Sequence, residues 1–266
     1  MAANTKIRLD QLLVEKGLAP DIKEAAALVM AGKVSVTGEQ RSPTPGMQVR
    51  PGTAVKVTPG KQFVSRGGEK LALALVLFDL QVKGAVCLDV GASTGGFTDC
   101  LLQHGARRVY AVDTGRGQLH QRLLSDERVV SMERTNIATG IDLPERVDLV
   151  VADVSFTSLR TVLLPAFEHL AGTSAERPAE TDAGSYAAGN QAVVLLKPQF
   201  EAEKSEVPRG GVVTDRLIHA AVIGRFLKWA GDSKIRVRNI ASSGILGDRG
   251  NREFLLHLEL PTPGRE

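Results

Sequence analysis

The stretch Val86-Cys87-Leu88-Asp89-Val90-Gly91-Ala92-Ser93-Thr94-Gly95-Gly96 decides the fold: a short apolar run passes straight into a glycine-rich turn, and Phe97 to His104 then reads as a helix. Strand, tight turn and helix in that order open a β-α-β unit. The rhythm continues downstream. Val109 to Asp113, Val129 to Met132, Asp148 to Asp153 and Ala192 to Leu196 are expected strands, with a helix over Leu159 to Leu170. Such alternation predicts an α/β fold with a doubly wound, mostly parallel, Rossmann-like sheet, because parallel neighbours need helical crossovers. Near the end the rhythm changes. Arg236 to Ala241 and Phe254 to Leu260 are strands with only a glycine-rich stretch between them, which predicts an antiparallel terminal hairpin and a seven-stranded sheet.

Residues 7 to 57 read as a separate small α/β unit. Leu9, Leu12 and Leu13 recur at helical spacing, and Gly17 and Pro20 separate that helix from the next. Asp21 and Glu24 have the spacing of an N-terminal cap, and Ala25, Leu28 and Val29 continue an apolar face as far as Gly32. Lys33 to Val36 alternates like a strand that Thr37-Gly38 turns back into a hairpin, and Val49, Val55 and Val57 supply further strand material. Thr58-Pro59-Gly60 breaks the pattern, so the expected domains are residues 1–60 and 61–266. A segment poor in bulky apolar residues, 172–190, is expected to be a mobile surface insertion.

Composition narrows the function. A chain of 266 residues with 43% hydrophobic and 24% charged residues is an ordinary folded protein. Its longest run of large aliphatic residues, Val193 to Leu196, is far below the ~20 needed to cross a bilayer. The first residues lack an export signal, so a cytoplasmic protein is expected. Cys87 and Cys100 are embedded in apolar segments and offer no metal cage. Net charge is +3, but residues 1 to 70 hold 11 Lys/Arg against 6 Asp/Glu, while the remainder holds 22 against 24. A basic front on a near-neutral body points to a polyanion partner. Helix pair, short hairpins and interspersed basic residues resemble the S4 RNA-binding domain. The resemblance implies that Arg8, Lys16, Lys23 and Lys33 meet structured RNA; Asp21-Ile22 stands where that family usually has Ser-Arg.

The glycine turn narrows the ligand. A dinucleotide fingerprint would place a glycine at position 93, where Ser93 stands, and no Gly-Lys-Ser/Thr closes a phosphate-cradling loop. Asp113 follows Gly91 by 22 residues, a spacing at which a carboxylate meets ribose hydroxyls. A nucleoside without a pyrophosphate fits both facts, and S-adenosylmethionine is the expected cofactor. Gly91, Ala92, Ser93, Thr94, Gly95, Gly96 and Phe97 would hold its methionine part, Asp113 its ribose and Asn136 its adenine, with Asp153 near the methyl group.

Asp153 and Lys197 end parallel strands, Glu253 begins an antiparallel one, and Lys70 starts the helix before the first strand of the sheet, so all four can reach one edge. Such a Lys-Asp-Lys-Glu set resembles the RrmJ/FtsJ-type ribose 2′-O-methyltransferases. Five blocks, Phe63–Leu71, Asp89–Asp99, Ala152–Phe156, Leu196–Glu201 and Gly250–Leu255, resemble the TlyA family, also labelled hemolysin A. That resemblance covers nearly the whole chain and implies methylation of cytidine 2′-hydroxyls in ribosomal RNA of one or both subunits. A ribose hydroxyl is a poor nucleophile, so the protein must orient it and remove a proton. Lys197 is the expected base, its ammonium form disfavoured by burial beside Lys70, with Asp153 and Glu253 orienting the amines. Arg66 and Arg209 are expected RNA contacts, Arg209 on a loop, Pro198 to Asp215, whose Gly210-Gly211 could let it close over the site. A monomer is expected. Two rival readings are a pore-forming protein, which liposome leakage would reveal, and a non-catalytic ribosome-binding factor, which would transfer no label to ribosomal subunits.

Overall fold

The computed structural model describes residues 6–39, 41–58, 62–171 and 190–260, and the chain forms two compact units, Met1–Gln62 and Phe63–Glu266. Of the expected boundary Thr58-Pro59-Gly60, Pro59 and Gly60 lie outside the described residues, as does, apart from Asn190, the expected insertion at 172–190.

The first unit contains β1 (Ile7–Arg8), α1 (Leu9–Glu15), α2 (Ile22–Met30), β2 (Val34–Val36), β3 (Gln48–Val49) and β4 (Val55–Val57). Asp21 caps α2 by accepting the Glu24 N–H at 2.8 Å. Leu9, Leu12, Leu13, Ala25, Val29, Val34, Val36 and Val49 form its core. One strand expectation is corrected: Thr37-Gly38 does not return β2 into an adjacent strand, because β2 pairs antiparallel with β4 and β1 with β3. Pro43 and Pro45 stand in the intervening stretch, and a residue without an N–H cannot serve a ladder.

The second unit runs α3 (Arg66–Leu77), β5 (Val86–Val90), α4 (Gly96–Gln103), β6 (Arg108–Val112), α5 (Gln121–Leu124), β7 (Val129–Met132), β8 (Leu149–Ala152), α6 (Leu159–Phe167), β9 (Gln191–Leu196), α7 (Pro198–Glu201), α8 (Arg216–Asp232), β10 (Arg236–Ser242) and β11 (Phe254–Glu259). The sheet order is β10-β11-β9-β8-β5-β6-β7, parallel from β9 to β7, with β11 antiparallel to both of its neighbours. Alternate side chains of each central strand enter different cores. Cys87, Val109, Val151, Leu195 and Leu255 pack with α3 and α4, whereas Leu88, Tyr110, Val150, Leu196 and Leu256 pack with α6 and α8. Burial on both faces explains why these strands read as continuous apolar runs. The order reverses about β5, whose neighbours are β6 and β8, and the crevice beyond their carboxyl ends is where open α/β sheets hold ligands.

Candidate active site

Two close backbone approaches build this edge. Gly91 leaves β5 with φ +83°, and a Cβ there would lie 2.9 Å from the Asp153 carbonyl oxygen. A Cβ on Gly96 would lie 2.1 Å from Ser65 Oγ and 2.9 Å from the Gly68 nitrogen, so the N-termini of α3 and α4 cross in contact. That crossing brings Lys70, on the second turn of α3, to the ends of β8 and β9. The β9–β11 register pairs Leu196 with Phe254, which puts Lys197 and Glu253 at the same edge.

The four ionisable side chains form two ion pairs. Lys70 Nζ donates to Glu253 Oε2. Lys197 Nζ lies 2.8 Å from Asp153 Oδ1 and donates to Ser155 Oγ at 2.7 Å. All four line one cavity of about 340 Å³, together with Arg66, Gly91 to Thr94, Gly96, Phe97, Ser155, Phe156 and Phe200. A second cavity of about 540 Å³ shares Gly91, Ser93, Asp153, Ser155 and Phe156 with the first and extends to Asp113, Gln118 and Asn136. The expected cofactor residues are thus distributed over two adjoining spaces, and Gly95 alone lines neither. Its φ is +95°, and a Cβ would fall 2.2 Å from Leu123 Cδ1, so Gly95 serves packing against the segment after β6.

Ser93 adopts φ +48°, a left-handed conformation that favours glycine. Its N–H donates to Asp113 Oδ2 at 2.8 Å, and Gly115 donates to Asp113 Oδ1 at 2.7 Å. Asn136 Oδ1 accepts from the Ala138 N–H at 3.0 Å. Asp89 is fully buried behind the glycine turn, where Thr98 Oγ1 donates to its Oδ2 at 2.6 Å. Burial pushes its carboxyl up to about 7, the Thr98 hydrogen bond opposing and the charges of Asp153 and Asp113 adding.

Several groups at the site were not singled out in the sequence. Phe156 is 92% exposed, has φ +62°, and its ring centroid lies 5.1 Å from that of Phe200. Glu201 is buried under this rim, accepting from Ser158 Oγ at 2.7 Å and from the Leu159 N–H at 2.6 Å. Burial raises its carboxyl above the ordinary range, against those bonds and Arg160. It fastens the loop bearing Asp153, Ser155 and Phe156 to the one bearing Lys197 and Phe200. No periodicity in sequence announces such a clasp.

Of the expected RNA contacts, only Arg66 lines a cavity, and its guanidinium donates to the Leu246 carbonyl at 3.4 Å. Arg209 is exposed on a loop fastened at both sides. Glu206 pairs with Arg225 at 2.5 Å on one, and Asn251 Oδ1 accepts the Val213 N–H at 2.9 Å on the other. Arg8, Lys16, Lys23 and Lys33 belong to the first unit, where Arg8 pairs with Asp10 at 2.6 Å and Lys16 and Lys23 are exposed.

Fold and cavities together define a Rossmann-like methyltransferase unit. A family model described as FtsJ-like methyltransferase matches residues 63–260, and one for the S4 domain matches residues 7–55. The chain belongs to the FtsJ-like methyltransferase family and, within it, to the TlyA (hemolysin A) group. It is 41% identical over 269 residues to the 16S/23S rRNA (cytidine-2′-O)-methyltransferase TlyA of Mycobacterium tuberculosis (strain ATCC 25618 / H37Rv), covering 97% of this chain and 91% of the relative. Identity to Hemolysin A of Brachyspira hyodysenteriae is 35% over 254 residues, 94% of this chain and 99% of the relative. Among solved structures, a candidate hemolysin from Streptococcus thermophilus superposes with a TM-score of 0.68 at 37% identity, covering 98% of this chain and 91% of that one.

Proposed function

We propose that this protein transfers a methyl group from S-adenosylmethionine to the ribose 2′-hydroxyl of a cytidine in ribosomal RNA. One observation carries the reading: two lysines and two carboxylates line a cavity that adjoins a nucleoside-sized space behind the glycine turn. The residues present fit the cofactor. Gly91 and Gly96 line the smaller cavity without side chains, and Asp113 faces the second cavity with both oxygens accepting backbone N–H groups. Gly91 to Thr94 and Gly96 would hold the methionine part, Asp113 the ribose and Asn136 the adenine.

When bound, S-adenosylmethionine supplies a methyl group already activated on a sulfonium. The chain's own task is to orient the acceptor hydroxyl and take its proton. Lys197 donates one N–H to Ser155 and lies in ion-pair contact with Asp153, and both partners face the cavity. As the neutral amine it would use its lone pair to receive the hydroxyl proton. Lys70, paired with Glu253, lines the same cavity and would support the site electrostatically. Phe156 and Phe200 offer flat faces at the rim, on which a base turned out of its stack can rest. The S4 domain supplies the grip on folded RNA, and such a substrate puts the reaction in the cytoplasm.

Relatives of this chain carry both methyltransferase and hemolysin names, but among the described residues no helix is long and apolar enough to cross a membrane, and nothing in the site favours lysis. Incubating purified protein with labelled S-adenosylmethionine and isolated ribosomal subunits tests the proposal. The expected result is alkali-stable label on a cytidine ribose, absent with Lys197→Ala; label on a base, or none, would reject it.

A further inference from the structure

A polar corner of the larger cavity plays no part in the proton chemistry. We infer that Gln118 is a cofactor-binding residue that reads the ribose diol jointly with Asp113, and that Gly115 stays without a side chain in order to seat it. The inference rests on the reading of that cavity as the nucleoside pocket.

Gln118 lines the cavity with Asp113 and Asn136, and its Oε1 accepts from Ser93 Oγ at 3.2 Å. Its amide lies directly over Gly115: a Cβ there would fall 1.9 Å from Gln118 Nε2 and 2.8 Å from Gln118 Cδ. Gly115 is not among the glycines with positive φ, so its backbone conformation would suit any residue. The space beneath the amide is what demands glycine. Asp113 supplies the complementary half, since each of its oxygens already accepts one backbone N–H and retains a further lone pair.

The chemistry of a diol explains why both groups are needed. Each ribose hydroxyl both donates and accepts. An ionised carboxylate only accepts, so Asp113 can satisfy the hydroxyl protons and leave the hydroxyl oxygens unserved. A carboxamide supplies N–H donors from Nε2 while Ser93 holds its Oε1. Ser93 sits in its left-handed turn between the two partners, donating its N–H to Asp113 and its hydroxyl to Gln118. The corner is therefore one connected network.

Isothermal titration of the full-length protein with S-adenosylhomocysteine, and with its analogues lacking the 2′- or 3′-hydroxyl, tests the inference. Gln118→Ala should weaken S-adenosylhomocysteine by roughly 3- to 10-fold, the worth of one neutral hydrogen bond. Gln118→Glu keeps the shape without the donors and should bind no better than the alanine variant. The penalty for deleting one ribose hydroxyl should shrink in Gln118→Ala relative to wild type. Gly115→Ala should weaken binding to a similar extent by evicting the amide, and adding it to Gln118→Ala should cost little more. Wild-type binding with Gln118→Ala unchanged would overturn the inference alone, as would additive losses in the double variant, which would route the glycine's effect through Asp113. Wild-type protein that binds no S-adenosylhomocysteine would overturn the nucleoside-pocket reading and the inference with it.

Discussion

Two lysine–carboxylate pairs share one sheet edge and differ in their surroundings. The Lys70 and Glu253 side chains are 9% and 3% exposed, and the loop over them is so close that a Cβ on Gly247 would fall 1.9 Å from Glu253 Oε1. The Lys197 and Asp153 side chains are 11% and 21% exposed, and that ammonium is shared with the exposed Ser155, which borders both cavities. Burying an ion costs several kcal/mol of hydration, offset only while its partner stays in place. The inner pair is therefore enclosed by protein, whereas the outer pair borders the space that a ligand would enter. On the function proposed here, the same residue types divide into an electrostatic support and a reactive group.

The largest effect that would break this division is on rate. Lys197→Ala should lower single-turnover methylation of ribosomal subunits by about 10²- to 10⁴-fold, the usual worth of a general base. Affinity for S-adenosylhomocysteine should stay within about threefold, because the binding energy of the nucleoside lies elsewhere. Near-normal turnover would hand the proton to another group and erase the contrast. Stability should respond in the opposite sense. Glu253→Gln strands the Lys70 ammonium without its counter-charge and should cost about 3–5 kcal/mol, a fall in melting temperature on the order of 10 °C. Asp153→Asn, at a more open pair, should cost under about 1 kcal/mol. Equal shifts in a thermal melt would show that the two pairs are not different in kind.

The contrast also marks how far the sequence could be read. Strand ends are visible in a chain, because apolar runs stop and glycine turns begin. Once the order of parallel strands is inferred, topology alone carries Asp153, Lys197 and Glu253 to one rim. Which lysine takes which carboxylate is a matter of contacts such as Lys70–Glu253, 183 residues apart, and no spacing encodes it. The crossing of α3 over α4 depends on Gly96 clearing Ser65, which reads in sequence as just another glycine of the turn. Glu201 appears in sequence only as the last residue of the Leu196–Glu201 block, yet it is buried and fastens the loop bearing Asp153 to the one bearing Lys197. In the first unit, β2 skips the nearest segment because prolines there cannot complete a ladder, so its partner could not be found from adjacency.

Asp89 sharpens the comparison from behind, since it is a buried carboxyl with no lysine at all. Thr98 serves its Oδ2 through the hydroxyl, and its Oδ1 has no hydrogen-bond partner among the described residues. With the folded value raised to about 7 from 3.8, the folded state holds this proton more tightly than the unfolded chain does. Its contribution to stability is therefore fully present below pH about 4 and lost as pH rises through about 7, by up to about 4 kcal/mol. Melting temperatures across pH 4 to 8 should show that decline in the wild type and a flatter profile in Asp89→Asn. An unchanged profile would mean that another group compensates the buried charge.

The smallest effect concerns the rim, where Phe156 and Leu159 stand three residues apart with opposite duties. Leu159 is buried in the core beneath α6, so Leu159→Ala should cost about 2–5 kcal/mol of stability. Phe156 is almost wholly exposed and holds a left-handed backbone, which for a bulky residue costs on the order of 1 kcal/mol or more. Phe156→Gly should therefore leave the melting temperature unchanged or raise it slightly. A strained, exposed aromatic that meets Phe200 only at the rim adds little to folding, and we propose that its contribution comes from a base that stacks on it. Phe156→Ala should lower kcat/KM for the ribosomal substrate by roughly 5- to 150-fold, the ~1–3 kcal/mol of one base–aromatic contact, while S-adenosylhomocysteine binding stays within about threefold. A drop in melting temperature with normal kcat/KM would instead make this ring a packing residue, and the rim would have no role in receiving a base.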